Sequence, residues 1–323
     1  MEILSIDPVQ PDKAILSKAT EIIRDGGLVA FPTETVYGIA ADATNPSAIK
    51  RIYEAKGRNK SKPILVLISH MDDLSCLVQY VPKRVERLMD ACWPGPLTLV
   101  LPRASDCNVS RIACAGLETL ALRVPENPAA QDLLTTFSGP IAAPSANISG
   151  SVSPTRADHI SDSLLDKTDL ILDGGPCKIG LESTVLDLTL DQPRILRHGA
   201  IPLENLIEKL GDIKEYNHSS NTEIKSPGLL RRHYATNQPL RLNAITAQPN
   251  EAYLAFGNCT SKNAAIVRNL SETGDLSEAA NKLFLLLREL DMPKYESIAV
   301  APIPNEGLGR AINDRLERAA VKS

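Results

Sequence analysis

The sequence lacks the motifs by which many nucleotide-using and hydrolytic enzymes are recognised. Its 323 residues contain no G-x-x-x-x-G-K-[ST] phosphate loop and no G-x-G-x-x-G after a strand. They also contain no G-x-S-x-G nucleophile elbow and no set of protein-kinase motifs. If the protein binds a nucleotide, we therefore expect side chains, rather than a glycine-rich loop, to hold the phosphates.

Cysteine and histidine are also not spaced as metal ligands. The six cysteines form no C-x-x-C pair, and the nearest two are Cys107 and Cys114. The five histidines are scattered, with no H-E-x-x-H. The usual ligand spacing of a zinc site is therefore missing, and we expect reduced thiols and no protein-bound metal.

Long apolar runs are absent as well. No window approaches the roughly 20 apolar residues that a membrane helix needs. The first residues, MEILSIDPVQPDK, lack the basic and then apolar regions of a signal peptide. Because 43% apolar and 23% charged residues are also ordinary for a soluble globular protein, we expect a cytoplasmic location.

Charge is distributed unevenly along the chain. The formal net charge is −4, which does not favour nucleic-acid binding by the molecule as a whole. Residues 50–62 nevertheless carry one acid, Glu54, and a cluster of bases: Lys50, Arg51, Lys56, Arg58, Lys60 and Lys62. Such a cluster suits a small phosphate-bearing molecule as well as RNA. Aromatic residues, on which single-stranded RNA would stack, make up only 4% of the chain.

The length predicts two domains, since single cores rarely grow past about 250 residues. Residues 1–210 mix strand and helix patterns without regular βαβ alternation, which favours an α+β domain with a twisted, partly mixed sheet. Residues 211–239 are polar and weakly periodic, and we interpret them as a linker or lid. Residues 240–323 show strand, helix, strand and helix patterns that predict a small α/β domain.

Several polar stretches follow predicted strands or helices of the first domain. FPTETVYG (31–38) follows an apolar strand, and KGR (56–58) ends a helix shortly before Lys62. TLALR (119–123) places Thr119 and Arg123 on one strand face by the two-residue period. APSANISG (143–150) continues to SPT (153–155), and EST (182–184) and Arg197 follow later. Polar groups concentrated on loops favour a functional role over simple turns.

In order and spacing, these motifs resemble the YrdC-like domain of threonylcarbamoyl-AMP synthases. SPGLLRRHYA (226–235) and NEGLGRAINDRLERAA (305–320) resemble the long, two-domain form of that family. The resemblance implies a twisted mixed sheet with helices and a smaller, Rossmann-like C-terminal domain. It also implies synthesis of threonylcarbamoyl-AMP and pyrophosphate from L-threonine, bicarbonate or CO₂, and ATP. Mg²⁺ is expected with ATP, and the product would pass to a tRNA threonylcarbamoyl transferase, with direct tRNA contact left open.

The resemblance also assigns roles to individual residues. Lys56 and Arg58 would be catalytic, and L-threonine would be bound by Thr35, Arg123, Ser183 and the backbone of Ala143. ATP would be bound by Arg58, Lys62, Thr119, Ser145, Asn147, Ser153, Arg197 and, from the linker, Tyr234. Thr236 stands where the family usually has proline, which leaves the rigidity of the lid open.

Two alternatives remain at this stage. A non-catalytic RNA-binding module of the same fold would use the basic cluster, although that cluster lacks interleaved aromatic residues. A carbamoyl-adenylate carrier for another acceptor, as in hydrogenase maturation, would carry zinc-finger and acylphosphatase-like modules that this sequence lacks.

Overall fold

The structure of the protein, a computed structural model, describes residues 2–216 and 233–321. The part of the predicted linker at 217–232 lies outside the described residues. The helices are α1 (Lys13–Arg24), α2 (Pro46–Lys56), α3 (Lys83–Cys92), α4 (Pro128–Phe137), α5 (Asp162–Leu165), α6 (Leu203–Leu210), α7 (Leu276–Leu290) and α8 (Leu308–Ala319). Short 3-10 helices span Met71–Cys76 and Ala157–His159.

The strands of the N-terminal part form one large sheet. They are β1 (Glu2–Ser5), β2 (Val29–Phe31), β3 (Gly38–Asp42), β4 (Val66–Leu67), β5 (Leu97–Pro102), β6 (Thr119–Arg123), β7 (Ile141–Ala142), β8 (Leu170–Asp173), β9 (Thr184–Asp187), β10 (Arg194–Arg197) and β11 (Lys214–Glu215). Their order is β1-β8-β2-β3-β7-β4-β6-β5-β9-β10-β11. The sheet contains both parallel pairs, such as β5 with β9, and antiparallel pairs, such as β5 with β6. The predicted α+β class with a mixed sheet is confirmed.

A second, smaller sheet occupies the C-terminal part. Its strands are β12 (Leu240–Arg241), β13 (Ala252–Ala255), β14 (Ile266–Asn269) and β15 (Ile298–Val300). They are all parallel, in the order β12-β15-β13-β14. Helix α7 connects β14 to β15, and α8 follows β15 and packs against α7. A parallel sheet with crossover helices is the predicted smaller α/β domain. The exact boundaries at residues 210 and 240 stay a prediction.

Local sequence explains where the helices begin. The side chains of Asp12, Asn45, Asn127 and Asp275 accept hydrogen bonds from backbone N–H groups in the first turns of α1, α2, α4 and α7. Proline follows two of these caps, at the first position of α2 and of α4, where its missing N–H costs nothing. Helix α2 ends at Gly57, which adopts a left-handed conformation with φ of 57°.

Apolar cores lie on both faces of the large sheet, and a third core joins the two parts of the chain. Helices α2 and α3 contribute to one face, and α1 and α4 contribute to the other. The core around α7, α8 and the small sheet also contains Val36, Val152 and Leu181 from the N-terminal part. Because these side chains belong to one packed cluster, the two parts meet through a continuous apolar contact.

Polar contacts reinforce that interface. Asn281 of α7 donates through Nδ2 to the carbonyl oxygens of Cys177 and Lys178, both at 3.0 Å. Arg288 of α7 donates to the carbonyl oxygen of Val152 at 2.5 Å. Arg310 of α8 contacts Glu204 at 3.1 Å near the surface. Each contact ties α7 or α8 to a loop or helix of the N-terminal part.

No helix among the described residues has both the length and the apolar character that crossing a membrane requires. The six cysteines are all free thiols, and Cys107 and Cys114 are buried.

Candidate active site

A cavity opens beside the loop that connects β2 to β3. Its space, counted together with the open solvent at its mouth, is about 710 Å³. Polar and charged residues make up much of its lining: Thr33, Thr35, Arg58, Thr98, Arg123, Ser145, Glu182, Ser183, Arg197, His233 and Tyr234. Eight of the predicted site residues therefore line one cavity: Thr35, Arg58, Arg123, Ala143, Ser145, Ser183, Arg197 and Tyr234.

The β2–β3 loop is a rigid wall of this cavity. Thr33 donates through Oγ1 to the carbonyl oxygen of Val36 at 2.6 Å and accepts from the backbone N–H groups of Thr35 and Val36. The Tyr37 hydroxyl donates to the carbonyl oxygen of Gly175 at 2.7 Å. These bonds, with almost complete burial, fix the position of the Thr35 hydroxyl.

Arg123, at the end of β6, is held from three sides. Its Nε donates to the carbonyl oxygen of Gly95 at 3.1 Å, and its Nη1 donates to Thr35 Oγ1 at 3.0 Å. Its Nη2 lies 2.6 Å from Glu34 Oε1, and both side chains are buried. Buried charges require such a partner. Sequence reasoning gave Glu34 no role in the site, although a carboxylate three residues after the buried strand β2 was a visible signal.

Ser183 lies directly before β9, beside a threonine that the sequence did not single out. Its Oγ lies 2.7 Å from Thr98 Oγ1 and accepts from Arg197 Nη2 at 3.1 Å. Arg197 also donates to the Ser183 carbonyl oxygen through Nε and Nη2. The N–H of Ala143, on the opposite wall, donates to the carbonyl oxygen of Leu65 and is therefore already used.

Cationic groups besides Arg123 also line the cavity, namely Arg58 and Arg197. Arg58 follows Gly57 and donates through Nη2 to the carbonyl oxygen of Pro63 at 2.7 Å. Burial lowers the pKa of Arg58 to about 10 and also lowers the pKa of Arg197. Arg58 remains protonated at neutral pH because its pKa stays well above 7, and Arg197 keeps the positive charge that a guanidinium group carries in proteins. They give the cavity positive charge suited to an anionic ligand.

Lys56 is not among the residues that line the cavity. Its ammonium group donates to the carbonyl oxygens of Ser145 and Asn147, and it lies 3.4 Å from Asn147 Oδ1. Asn147 donates in turn to the carbonyl oxygens of Ile148 and Ser151. Burial foremost, and then Arg58, lower the pKa of Lys56 well below its ordinary value. Lys56 and Asn147 thus shape the loop that carries Ser145, and the roles in catalysis and ATP binding that the sequence assigned to them stay predictions.

Three further predicted ATP ligands do not line the cavity. Lys62 is mostly buried beside Arg58, which together with burial lowers the pKa of the Lys62 ammonium. Thr119 begins β6 at its far end from Arg123. Ser153 is fully buried, and its Oγ donates to Glu182 Oε1 at 2.6 Å. Their predicted contacts with ATP therefore remain untested.

Tyr234 closes the cavity from the side of the C-terminal part. It is fully buried and stacks on Phe284 of α7, with 5.6 Å between ring centroids. Its backbone φ is +61°, a strained value for a residue with a side chain. The Ala235 N–H donates to the carbonyl oxygen of Gly150, which anchors the segment to the N-terminal part. Among the described residues, the buried Tyr234 hydroxyl has no hydrogen-bond partner.

The described residues offer no ready-made metal site. In 2–216 and 233–321, no three or more His, Cys, Asp or Glu side chains come together as metal ligands. Glu182 lines the cavity, but its two carboxylate oxygens already accept hydrogen bonds from Ser153 and Arg315. A Mg²⁺ ion would therefore fit this site only through ligand phosphates and water, as Mg²⁺ commonly binds.

Comparison with known proteins identifies similar chains. A family model described as "Telomere recombination" (Sua5_yciO_yrdC) matches residues 21–199, and one described as "Threonylcarbamoyl-AMP synthase, C-terminal domain" matches residues 201–321. The threonylcarbamoyl-AMP synthase of Pyrococcus abyssi is 39% identical, over 94% of this chain and 93% of its own. That of Bacillus subtilis is 37% identical, over 97% and 95%.

A solved structure resembles this chain over nearly its whole length. The crystal structure of P. abyssi Sua5 complexed with L-threonine matches with a TM-score of 0.90 at 35% identity. The match covers 98% of this chain and 97% of the other. The similarity therefore extends over both sheets and the arrangement between them.

Proposed function

The chain belongs to the threonylcarbamoyl-AMP synthase family, and on that premise we propose that its cavity joins L-threonine, bicarbonate or CO₂, and ATP. The products are threonylcarbamoyl-AMP and pyrophosphate. The observation that carries this proposal is the near-complete structural match to a relative described as complexed with L-threonine. The adenylate would then pass to a transferase that modifies tRNA.

The amino acid would bind between the β2–β3 loop and β9. Arg123 presents a planar guanidinium suited to two parallel bonds with a carboxylate, and Thr35 and Ser183 present hydroxyls nearby. The backbone of Ala143 lies on the opposite wall. Because Glu34 balances the charge of Arg123, this end of the cavity suits a zwitterionic amino acid rather than a polyanion.

ATP would bind toward Arg58, Ser145, Arg197 and Tyr234. Arg58 and Arg197 supply positive charge for the phosphates, and the Tyr234 hydroxyl has no hydrogen-bond partner within 2–216 and 233–321. Lys62, Thr119, Asn147 and Ser153 would complete the site if the surrounding loops move when ATP binds. Mg²⁺ would arrive with the phosphates and neutralise charge on the pyrophosphate.

The chemistry requires positioning more than a protein nucleophile. The neutral amine of threonine attacks CO₂ and loses a proton, and an oxygen of the resulting carbamate attacks the α-phosphorus while pyrophosphate leaves. The site must align two labile reactants and stabilise charge on the phosphates. This need agrees with the absence of a nucleophile motif. Because the carbamate is short-lived in water, excluding solvent from the cavity would protect it.

The non-catalytic RNA-binding alternative is less well supported than the enzyme. The functional groups converge on an enclosed cavity, which suits small reactants rather than a nucleic-acid backbone. Residues of the basic cluster are also engaged: Lys56 holds the 145–147 loop, and Arg51 pairs with Asp169 at 2.9 Å.

Pyrophosphate release tests the proposal. Purified protein with ATP and Mg²⁺ is expected to release pyrophosphate only when both L-threonine and bicarbonate are present. Ser183→Ala, which removes a hydroxyl of the cavity, is expected to lower the rate at least about tenfold. Release that does not depend on threonine would point to a different acceptor, and salt-sensitive RNA binding without any release would support the binding module.

A further inference from the structure

One wall of the cavity carries a buried carboxylate whose cationic partner comes from the other domain. Glu182 lines the cavity and is only 6% exposed. Arg315 of α8 reaches it across the interface and donates through Nε to Glu182 Oε2 at 3.0 Å. Arg315 is itself completely buried. The two side chains thus form an ion pair between the domains, at the edge of the proposed nucleotide site.

The remaining bonds of this pair are well defined. Arg315 Nη1 donates to the carbonyl oxygen of His198 at 2.7 Å and to Asp314 Oδ2 at 2.7 Å. Ser153 Oγ donates to the other oxygen of Glu182 at 2.6 Å. Although burial alone would raise the pKa of Glu182, Arg315 and then Arg197 lower it to about 2. Glu182 is therefore ionised at neutral pH, and Arg315 balances its charge.

That balance matters for a polyanionic ligand. Arg197 and Arg58 line the cavity with Glu182, and they are the groups we assign to the phosphates. An ionised carboxylate in a buried wall repels phosphate strongly when no cation compensates it, because the effective dielectric constant is low. Removing Arg315 would leave Arg197 as the remaining cation that compensates Glu182, and Arg197 is a cation we assign to the phosphates.

We propose that Arg315 is a positioning residue of the active site: from the C-terminal domain it neutralises and orients Glu182, so that the cavity can accept the phosphates of ATP. The C-terminal domain would thus complete the nucleotide site without touching the reactants. This inference rests on the proposed function, because it takes ATP as the ligand of the Arg58 and Arg197 side of the cavity.

The test compares variants of the full-length chain. Binding of MgATP and of L-threonine is measured separately by calorimetry for the wild type, Arg315→Gln, Glu182→Gln and the double variant. Arg310→Gln is the matched control, since Arg310 is also on α8 and also pairs across the interface, with Glu204, but does not line the cavity. A thermal melt of each variant checks that it is folded.

We expect Arg315→Gln to weaken MgATP binding at least about tenfold while threonine binding changes less than about twofold. In the double variant no buried charge is left uncompensated, so most of the ATP affinity returns. Arg310→Gln is expected to bind both ligands as the wild type does. Recovery in the double variant identifies charge as the cause, because Arg315 also lies over the Tyr234 ring, at 5.2 Å, and both variants lose that contact.

Three results would overturn the inference. They are unchanged ATP affinity in Arg315→Gln, an equal loss of ATP and threonine affinity, and a double variant as weak as Arg315→Gln. The last two would show that Arg315 supports only packing. Failure of the proposed function has a different signature, because the wild type would then bind MgATP yet form no adenylate from threonine and bicarbonate.

Discussion

Arg123 shows how a single side chain is oriented before any ligand arrives. Its guanidinium meets a carbonyl oxygen, a hydroxyl and a carboxylate, from Gly95, Thr35 and Glu34. Only a planar group with several fixed donors can meet all three at once. Its orientation toward the cavity is therefore set by the fold, and threonine would find it in place.

We expect Arg123→Lys to raise the KM for threonine at least about tenfold, because the single ammonium group of lysine cannot form the two parallel hydrogen bonds that a guanidinium group offers a carboxylate. The KM for ATP should change little, since Arg123 lies at the amino-acid end of the cavity. Steady-state pyrophosphate release at varied threonine and varied ATP measures both constants. Arg111→Lys is the control, because Arg111 forms only an exposed pair with Glu118. An unchanged threonine KM in Arg123→Lys would remove Arg123 from the threonine site.

Sequence reasoning could find Arg123 because strand periodicity and the family motif both mark it. It could not assign Glu34 or Thr98, since their roles depend on contacts made in three dimensions, with Arg123 and Ser183. The role of Arg315 was even harder to predict from the sequence, because Arg315 lies 133 residues along the chain from Glu182. The sequence shows which chemical group a residue carries, but only the folded structure shows which other residue that group contacts.

At the scale of elements, helix α2 positions the 145–151 loop. Lys56, in the last turn of α2, donates to carbonyl oxygens of Ser145 and Asn147, and its own carbonyl oxygen accepts from the Ser149 N–H at 2.8 Å. Several hydrogen bonds therefore join the end of α2 to the loop. These bonds position the Ser145 side chain in the cavity.

Lys56→Met tests whether Lys56 acts on the loop or on the substrate. We expect it to lower the free energy of unfolding by about 1–3 kcal/mol, since buried carbonyl groups lose their donor. Hydrogen exchange of the amides in 145–151 should become faster. Lys50→Met, at an exposed position of the same helix, should alter neither quantity. A fall in kcat with unchanged exchange would instead support the direct catalytic role that the resemblance assigns.

In the C-terminal domain, one carboxylate connects three strands. Glu251, directly before β13, accepts from Arg241 of β12 and from Ser297, which precedes β15. The hydrogen bonds from Arg241 are the main cause that lowers the pKa of Glu251 from 4.5 to about 2. A lowered pKa in the folded state stabilises the fold above pH 4.5, and this contribution is lost as the pH falls toward 2.

We therefore expect Glu251→Gln to lower the free energy of unfolding at pH 7 by about 1–3 kcal/mol. The difference from the wild type should shrink as the pH falls from 4.5 toward 2, because the Glu251 carboxylate binds a proton near pH 4.5 in the unfolded chain but only near pH 2 in the folded one. Urea unfolding of both proteins at several pH values measures this difference in the free energy of unfolding. Glu278→Gln is the control, since its pair with Lys282 lies on the surface of α7. A difference that does not vary with pH would contradict the assignment to this charge.

Helices were more predictable from the sequence than strands. The caps at Asn45, Asn127 and Asp275 are local signals, and the structure shows each of them accepting backbone bonds. The sequence did not single out β13 as a strand, although it is central to the small sheet. Its four residues are too few to show a period, and its strand partners are distant in the chain.

At the scale of the whole molecule, close backbone contact joins the domains at Gly180. This residue has a φ of +80°, and a Cβ there would lie 2.6 Å from the carbonyl oxygen of Asn281 in α7. Gly175, in the same loop region, has a similar φ of +78° but open space around it. The two positions therefore share the same backbone requirement and differ in the interdomain contact.

Both Gly175→Ala and Gly180→Ala should lose about 1 kcal/mol or more of stability from backbone strain. Gly180→Ala should lose about a further 1–3 kcal/mol, because α7 must move away from the loop. Denaturant unfolding of the two variants measures the difference. Equal stabilities would contradict a tight interface at this point. The sequence alone predicted two domains, but not that they pack through a shared core, since that depends on distant residues such as Val36 and Leu181.

The most direct measurement of the central claim follows the carbamoyl carbon. The protein is incubated with ATP, Mg²⁺, L-threonine and ¹³C-labelled bicarbonate, and the adenylate is identified by mass spectrometry. The account predicts a threonylcarbamoyl-AMP species one mass unit heavier than with unlabelled bicarbonate, formed together with one pyrophosphate. A product without the label, or pyrophosphate released without any threonine-containing adenylate, would contradict it.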